Sequence, residues 1–131
     1  MIPFMDPQYI FIAGGIGITP FRSIIQHLVL TKKKVSIILF YLAKTEDEFI
    51  FKDELESAKK QLGMTIVYHL SSSSSFSPQM ITEQVKEYRK CSYYLSGPQA
   101  MVLAYQGVLV SMGIDEEQFV IDSFSGYKSG L

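Results

Sequence analysis

The stretch Gln8-Tyr9-Ile10-Phe11-Ile12-Ala13-Gly14-Gly15-Ile16-Gly17-Ile18-Thr19-Pro20 decides the fold of this chain. Residues 8–13 form an apolar run of buried-strand length, and the glycines that follow close it. Thr19 suits an N-cap and Pro20 a first helical residue, so a helix is expected to open there. Phe21, Ile24, Ile25, Leu28 and Val29 follow at helical spacing and carry that helix to about Leu30. Strand, glycine turn and helix in succession are the first half of a βαβ unit.

The same alternation continues outward. Residues 35–42 read as a second strand, apolar nearly throughout, as expected when both sheet faces are covered. Thr45-Glu46-Asp47-Glu48 has the form of a capping box and predicts a helix from Thr45. Phe51, Leu55, Ala58 and Leu62 would share one of its faces, and Gly63 would stop it. Residues 64–70 give a third strand and 71–75 a serine loop. Ser77-Pro78 opens a helix containing Met80, Ile81, Val85 and Tyr88, and 92–95 form a fourth strand. Ser96-Gly97-Pro98 opens a last helix, with Met101, Ala104, Tyr105, Val108 and Met112 inward and Gly113 as its end. Residues 118–121 form a fifth strand and 122–131 a Gly/Ser-rich tail. Five strands separated by helices, without hairpin signals, predict the α/β class. The expected architecture is a Rossmann-like three-layer sandwich, a five-stranded parallel sheet in the order 3-2-1-4-5 with helices on both faces.

Composition narrows the class. At 131 residues the chain is expected to be one domain, with 1–7 resembling an interdomain linker. A formal net charge of −1 gives no global field to attract nucleic acid or an anionic membrane. The single cysteine, Cys91, excludes an internal disulfide framework and fits a reducing compartment. The apolar stretches 9–18 and 35–42 are too short to span a bilayer, and the first residues lack the form of a secretory signal. A cytoplasmic location is expected, or the cytoplasmic face of a membrane-attached parent protein. His27 and His69 stand apart from any cluster of ligating residues, so no metal site is expected. No nucleophile stands beside a base at a recognisable spacing.

In open parallel sheets, ligands bind beyond the carboxyl ends of the strands. Two turns belong there: Gly14-Gly15-Ile16-Gly17-Ile18-Thr19-Pro20, and Ser96-Gly97-Pro98-Gln99. Glycine brings backbone amides close to a ligand, and the following helix aims its positive end at phosphate. The common Gly-x-Gly-x-x-Gly fingerprint is not met, because Pro20 stands where its third glycine would be. A P-loop is absent too, since no Gly-Lys-Ser or Gly-Lys-Thr follows.

Gly14 through Arg22 closely resembles the first nucleotide-binding turn of ferredoxin–NADP reductase-like flavoenzymes. Tyr41-Leu42-Ala43-Lys44-Thr45-Glu46-Asp47-Glu48-Phe49 is similar to that family's segment at the adenosine ribose. Tyr94-Leu95-Ser96-Gly97-Pro98 resembles its Cys-Gly-Pro turn beside the nicotinamide. Ser123-Phe124-Ser125-Gly126-Tyr127 resembles its aromatic C-terminal signature. The resemblance implies that Gly15, Gly17, Ile18 and Thr19, flanked by Gly14 and Pro20, line the pyrophosphate and nicotinamide side. Lys44 would approach the ribose, and Ser96, Gly97, Pro98, Gln99 and Met101 the nicotinamide end, with Ser96 at the catalytic position. Phe124 or Tyr127 would cover a flavin ring. It further implies hydride transfer between nicotinamide C4 and flavin N5, with electrons passed on to an iron–sulfur or haem acceptor.

Three departures qualify these implications. The family's Arg-x-Tyr-Ser flavin motif is absent, so FAD or FMN is expected from a separate domain or subunit, and the chain alone is expected to be inactive. Ser96 stands where the family has cysteine. Ser71-Ser72-Ser73 stands where NADP-using relatives carry an arginine, which favours NAD(H) over NADP(H), with Lys44 as a partial substitute. The alternative function is a non-catalytic dinucleotide-binding or assembly module of the same fold. Ser96 as a plain N-cap, Lys44 as a solvated side chain, and Arg22 in a phosphate contact or a surface ion pair stay open at this level.

Overall fold

Period-two alternation sorts the central strands between two apolar layers. Successive strand residues point to opposite faces, so a strand apolar at every position must be covered on both. The computed structural model describes residues 8–124. In it Phe11, Ala13, Leu39 and Tyr41 pack with Ile18, Phe21, Ile25, Leu55 and Ala58 on one face. Ile10, Ile12, Phe40 and Leu42 pack with Ile81, Val102 and Leu109 on the other.

The strands are β1 Gln8–Gly14, β2 Ser36–Ala43, β3 Thr65–Leu70, β4 Ser92–Pro98 and β5 Phe119–Phe124. The helices are α1 Ile18–Thr31, α2 Lys52–Leu62, α3 Pro78–Gln84 and α4 Gln99–Ser111. All neighbouring strands run parallel, in the order β3-β2-β1-β4-β5, so the expected class and strand order hold. The chain reverses its winding direction between β1 and β4, which puts the switch point at the centre of the sheet. Helix α1 is fixed there by aromatic packing. Phe21 stacks on Phe11 with ring centroids 4.5 Å apart, and Tyr94 meets Phe21 edge-on at 4.8 Å.

Local expectations fared less evenly. Thr19 is not an N-cap: α1 starts at Ile18 with Gly17 as its cap, and the Thr19 hydroxyl donates to the Ile16 carbonyl at 2.9 Å. Pro20 therefore sits within the first turn rather than at its first position, where its missing N–H still costs nothing. No α-helix begins at Thr45. That hydroxyl donates instead to the Asp47 carboxylate at 2.6 Å, and Glu46–Glu48 form a single 3-10 turn. Helix α2 opens only at Lys52, after Phe51 in the left-handed region at φ 64°. Gly63, at φ 74°, ends it as expected.

Helix α3 stops at Gln84; Val85 is extended and Tyr88 lies in a 3-10 turn, so neither is helical. On α4 the fully buried residues are Val102 and Leu109, whereas Ala104 is exposed and Met101, Tyr105, Val108 and Met112 are half-buried. Ser96, Gly97 and Pro98 do not open that helix. They continue β4, because β5 runs beside it to Phe124 and pairs Ser96 with Asp122, Gly97 with Ser123 and Pro98 with Phe124. The tail expected from residue 122 thus begins no earlier than 125, and Tyr127 lies outside the described residues.

Candidate functional site

The carboxyl ends of β1, β2 and β4 open onto a cleft of about 490 Å³. Gly14 and Gly15 from the first turn, Leu42, Ala43 and Lys44 from the end of β2, and Pro98 and Met101 from the start of α4 line it together. Gly15 holds φ 59°, a conformation costly for any side chain, and a Cβ there would meet nothing within 4 Å among the described residues. Backbone is therefore presented openly to the cleft at this one position. Met101 closes the opposite side. Its sulfur occupies the space a Cβ on Gly14 would need, and its methyl group lies 2.7 Å from where a Cβ on Gly97 would stand.

Beneath the cleft the two turns lock together. A Cβ on Gly17 would collide with the Ser96 carbonyl oxygen and stand 2.9 Å from the Gly97 Cα. Only glycine lets the first turn lie on β4. This packing seals Ser96, which is 0% exposed, and its hydroxyl has no hydrogen-bond partner among the described residues. A buried hydroxyl without a partner costs about 1–3 kcal/mol of lost hydration.

The cation of the cleft is Lys44, exposed and without an ion-pair partner among the described residues. Its position is set from below. The Lys44 backbone N–H donates to a Glu48 carboxylate oxygen at 3.0 Å. The Ile50 N–H donates to the Tyr41 hydroxyl at 3.1 Å, anchoring the turn to the sheet. Burial raises the Tyr41 phenol above its ordinary pKa, so it stays a neutral hydrogen-bonding group. Ser71 lines the far end and donates through its hydroxyl to the Ala43 carbonyl at 3.3 Å. His69 Nε2 lies 2.8 Å from the Ser74 carbonyl, which ties the serine loop back to β3.

Of the residues singled out in the sequence, the structure brings Gly14, Gly15, Lys44, Pro98 and Met101 into one cleft. Gly17, Ile18, Ser96 and Gly97 are buried and do not line it, and Thr19 and Gln99 are exposed outside its lining. Pro20 sits in the first turn of α1, and Phe124 ends β5 opposite Pro98. Sequence reasoning passed over Ala100, Ala104 and Tyr105 as lining residues, and reached Glu48 and Ser71 only through the family resemblance. The usable signal was helical spacing, which places Ala104 and Tyr105 one turn beyond Ala100 and Met101.

Arg22 is committed elsewhere. Its Nε lies 2.9 Å from Glu54 on α2 and its guanidinium 4.1 Å from the centre of the Phe51 ring. That hydrogen bond holds the Glu54 carboxyl below the usual carboxylate range. Cys91 is buried, and desolvation, with Glu87 nearby, pushes its thiol up to about 11, leaving it protonated and unreactive at neutral pH. Among the described residues no cluster of His, Cys, Asp and Glu could hold a metal ion, and no helix is long and apolar enough to cross a membrane.

Comparison with known proteins agrees with the fold. The family model described as the oxidoreductase NAD-binding domain matches residues 11–107. A component of the Na(+)-translocating NADH-quinone reductase of Actinobacillus pleuropneumoniae is 27% identical over 92% of this chain and 33% of its own length. The electron transfer component XylA of the Pseudomonas putida xylene/toluene monooxygenase is 29% identical over 86% of this chain and 35% of its own. The chain thus spans about a third of these relatives. Among solved structures, the FAD/NAD-binding domain of a Vibrio cholerae nitric oxide dioxygenase superposes with a TM-score of 0.76 at 18% identity, covering 92% of this chain and 52% of that one. Ferredoxin–NADP+ reductase of Plasmodium falciparum gives 0.73 at 23% identity, covering 90% and 52%. With the matching family model spanning both turns of the cleft, the chain belongs to the oxidoreductase NAD-binding domain family.

Proposed function

We propose that the cleft binds a nicotinamide dinucleotide and that the chain is the NAD(P)H-binding module of a flavin-dependent electron-transfer reductase. The observation that carries this reading is the convergence of Gly14, Gly15, Lys44, Pro98 and Met101 on one cleft at the switch point of the sheet. The fit is favourable at both ends. Open backbone at Gly15 suits a pyrophosphate, and the Lys44 ammonium suits a ribose or its phosphate. At the β4 end, the unpartnered Ser96 hydroxyl lies one residue before Gly97, under the floor of the cleft. It is assigned to the nicotinamide end, held beneath the cleft by the packing of Gly17 on β4.

When bound, the dinucleotide supplies a hydride, and FAD or FMN on a separate domain or subunit accepts it for onward transfer to an iron–sulfur or haem acceptor. This chain's residues bind and orient. Met101 shields the β4 side of the cleft from water, and the Gly14-Gly15 backbone sets the depth of the dinucleotide. NAD(H) is the favoured form. The far end of the cleft offers Ser71 and the Glu48 carboxylate, with Lys44 alone as a cation among the described residues. A 2′-phosphate there finds no bidentate guanidinium and meets a like charge.

The test is anaerobic reduction of a flavin on the parent protein's flavin-binding part, reconstituted with this chain. Bleaching of the flavin by NADH is expected. No bleaching, with the dinucleotide still bound, would replace the reductase by the non-catalytic binding module.

A further inference from the structure

The net charge of −1 conceals an uneven distribution of charge around α1 and α2. At the carboxyl end of the strands, the segment after β2 carries Glu46, Asp47 and Glu48, and the first turn of α2 carries Asp53 and Glu54. At the opposite end, where α1 and α2 finish, stand Lys32, Lys33 and Lys34 after α1 and Lys59 and Lys60 in the last turn of α2, while Asp115, Glu116 and Glu117 lie at the same end but across the sheet, before the edge strand β5. The two helix ends meet: Val29, Lys32, Lys34, Gln61 and Leu62 line one shared hollow. Lys59 is matched to Glu56 at 3.8 Å, whereas Lys32, Lys33, Lys34 and Lys60 have no ion-pair partner among the described residues.

Two further features mark this end. Leu30, in the last turn of α1, is 81% exposed and is separated from the lysine run only by Thr31. Lys32 itself holds φ 55°, a left-handed position at a helix end where glycine is the favoured residue. A lysine there costs backbone stability that glycine would not, offset in part by its charge at the negative end of the helix.

We propose that this end is a peripheral docking surface for an anionic lipid bilayer, with the unpaired lysines at the headgroups and Leu30 inserted as a shallow apolar anchor. Charge complementarity selects the occupant. Unpaired lysines flanking an exposed aliphatic side chain fit a surface that is anionic outside and apolar just beneath. The location also sets the role. Eight residues of β2 place this end about 25 Å from the dinucleotide cleft, too far to be the port through which electrons leave. Docked through the α1 and α2 side of this end, the cleft faces the aqueous phase, Glu46, Asp47 and Glu48 point away from the like-charged bilayer, and Asp115, Glu116 and Glu117 stand off at the β5 edge.

The test is co-sedimentation of this chain with phosphatidylcholine vesicles, with and without phosphatidylglycerol, at low and high salt. Binding is expected only with phosphatidylglycerol and is expected to fall with salt. Each lysine contributes about fivefold to the partition coefficient, so the triple variant Lys32→Ser, Lys33→Ser, Lys34→Ser loses about a hundredfold. Lys32→Gly alone separates charge from folding: its melting temperature rises while vesicle binding falls about fivefold. NADH binding, at the other end, is unchanged in both variants, so failure here leaves the proposed function standing. Absence of wild-type binding to phosphatidylglycerol vesicles, equal binding by the triple variant, or binding to polyglutamate but not to vesicles would overturn the proposal.

Discussion

The two glycine turns at the switch point share a sequence form and differ in structure. After β1 the chain leaves the sheet at once, through Gly15 at φ 59° and a 3-10 turn, and presents open backbone. After Leu95 it stays extended through Ser96, Gly97 and Pro98 because β5 lies alongside, and α4 starts without a turn. The first turn makes open room only at Gly15; beside Gly14 and beside Gly97 the room is filled by the Met101 side chain. A strand–glycine–proline–helix pattern thus specifies the exit from a sheet but not its shape. The neighbouring strand, distant in sequence, decides that.

Substitutions at the glycines separate the two turns. Gly17→Val, at the contact between them, should have the largest effect, about 3 kcal/mol in denaturant unfolding with loss of NADH binding, because rigid backbone of Ser96 and Gly97 stands in the way. A loss below about 1 kcal/mol would show that the first turn moves freely on β4. Gly15→Ala should cost about 1–2 kcal/mol from its left-handed backbone alone, with the same fold, since nothing crowds the new methyl group among the described residues.

Gly97→Ala should cost about 1 kcal/mol or less. Its methyl group meets the flexible end of Met101, and a Gly97→Ala/Met101→Ala double variant should recover part of the loss. Ser96→Ala should change least in the free protein, a gain of up to about 1 kcal/mol from removing an unpartnered hydroxyl, while slowing flavin reduction in the reconstituted enzyme. Unchanged flavin reduction would remove Ser96 from the catalytic position.

The parts of the fold legible in the sequence were those set by local pattern. The buried strands, the helix faces of α1 and α2, and the stop at Gly63 follow from periodicity and backbone preference. The misplaced boundaries have tertiary causes. The box at Thr45 makes no α-helix because Asp47 takes the threonine hydroxyl and the Tyr41 hydroxyl holds Ile50. Ser96 is a strand residue because β5 pairs with it. The site was legible as two turns and Lys44. Its wall from α4, Ala100, Ala104 and Tyr105, meets the β2 end only through the order of the sheet. The lysines at the far end were visible as residues, but their common location required knowing that α1 and α2 end side by side.

The measurement that tests the central claim most directly is calorimetric titration of this chain with NADH and NADPH in parallel. The account predicts saturable one-to-one binding of NADH and weaker binding of NADPH. Stronger binding of NADPH would show that Lys44 or a neighbour reads the 2′-phosphate and would reverse the cofactor preference. Absence of binding by either would contradict the assignment of the cleft to a dinucleotide.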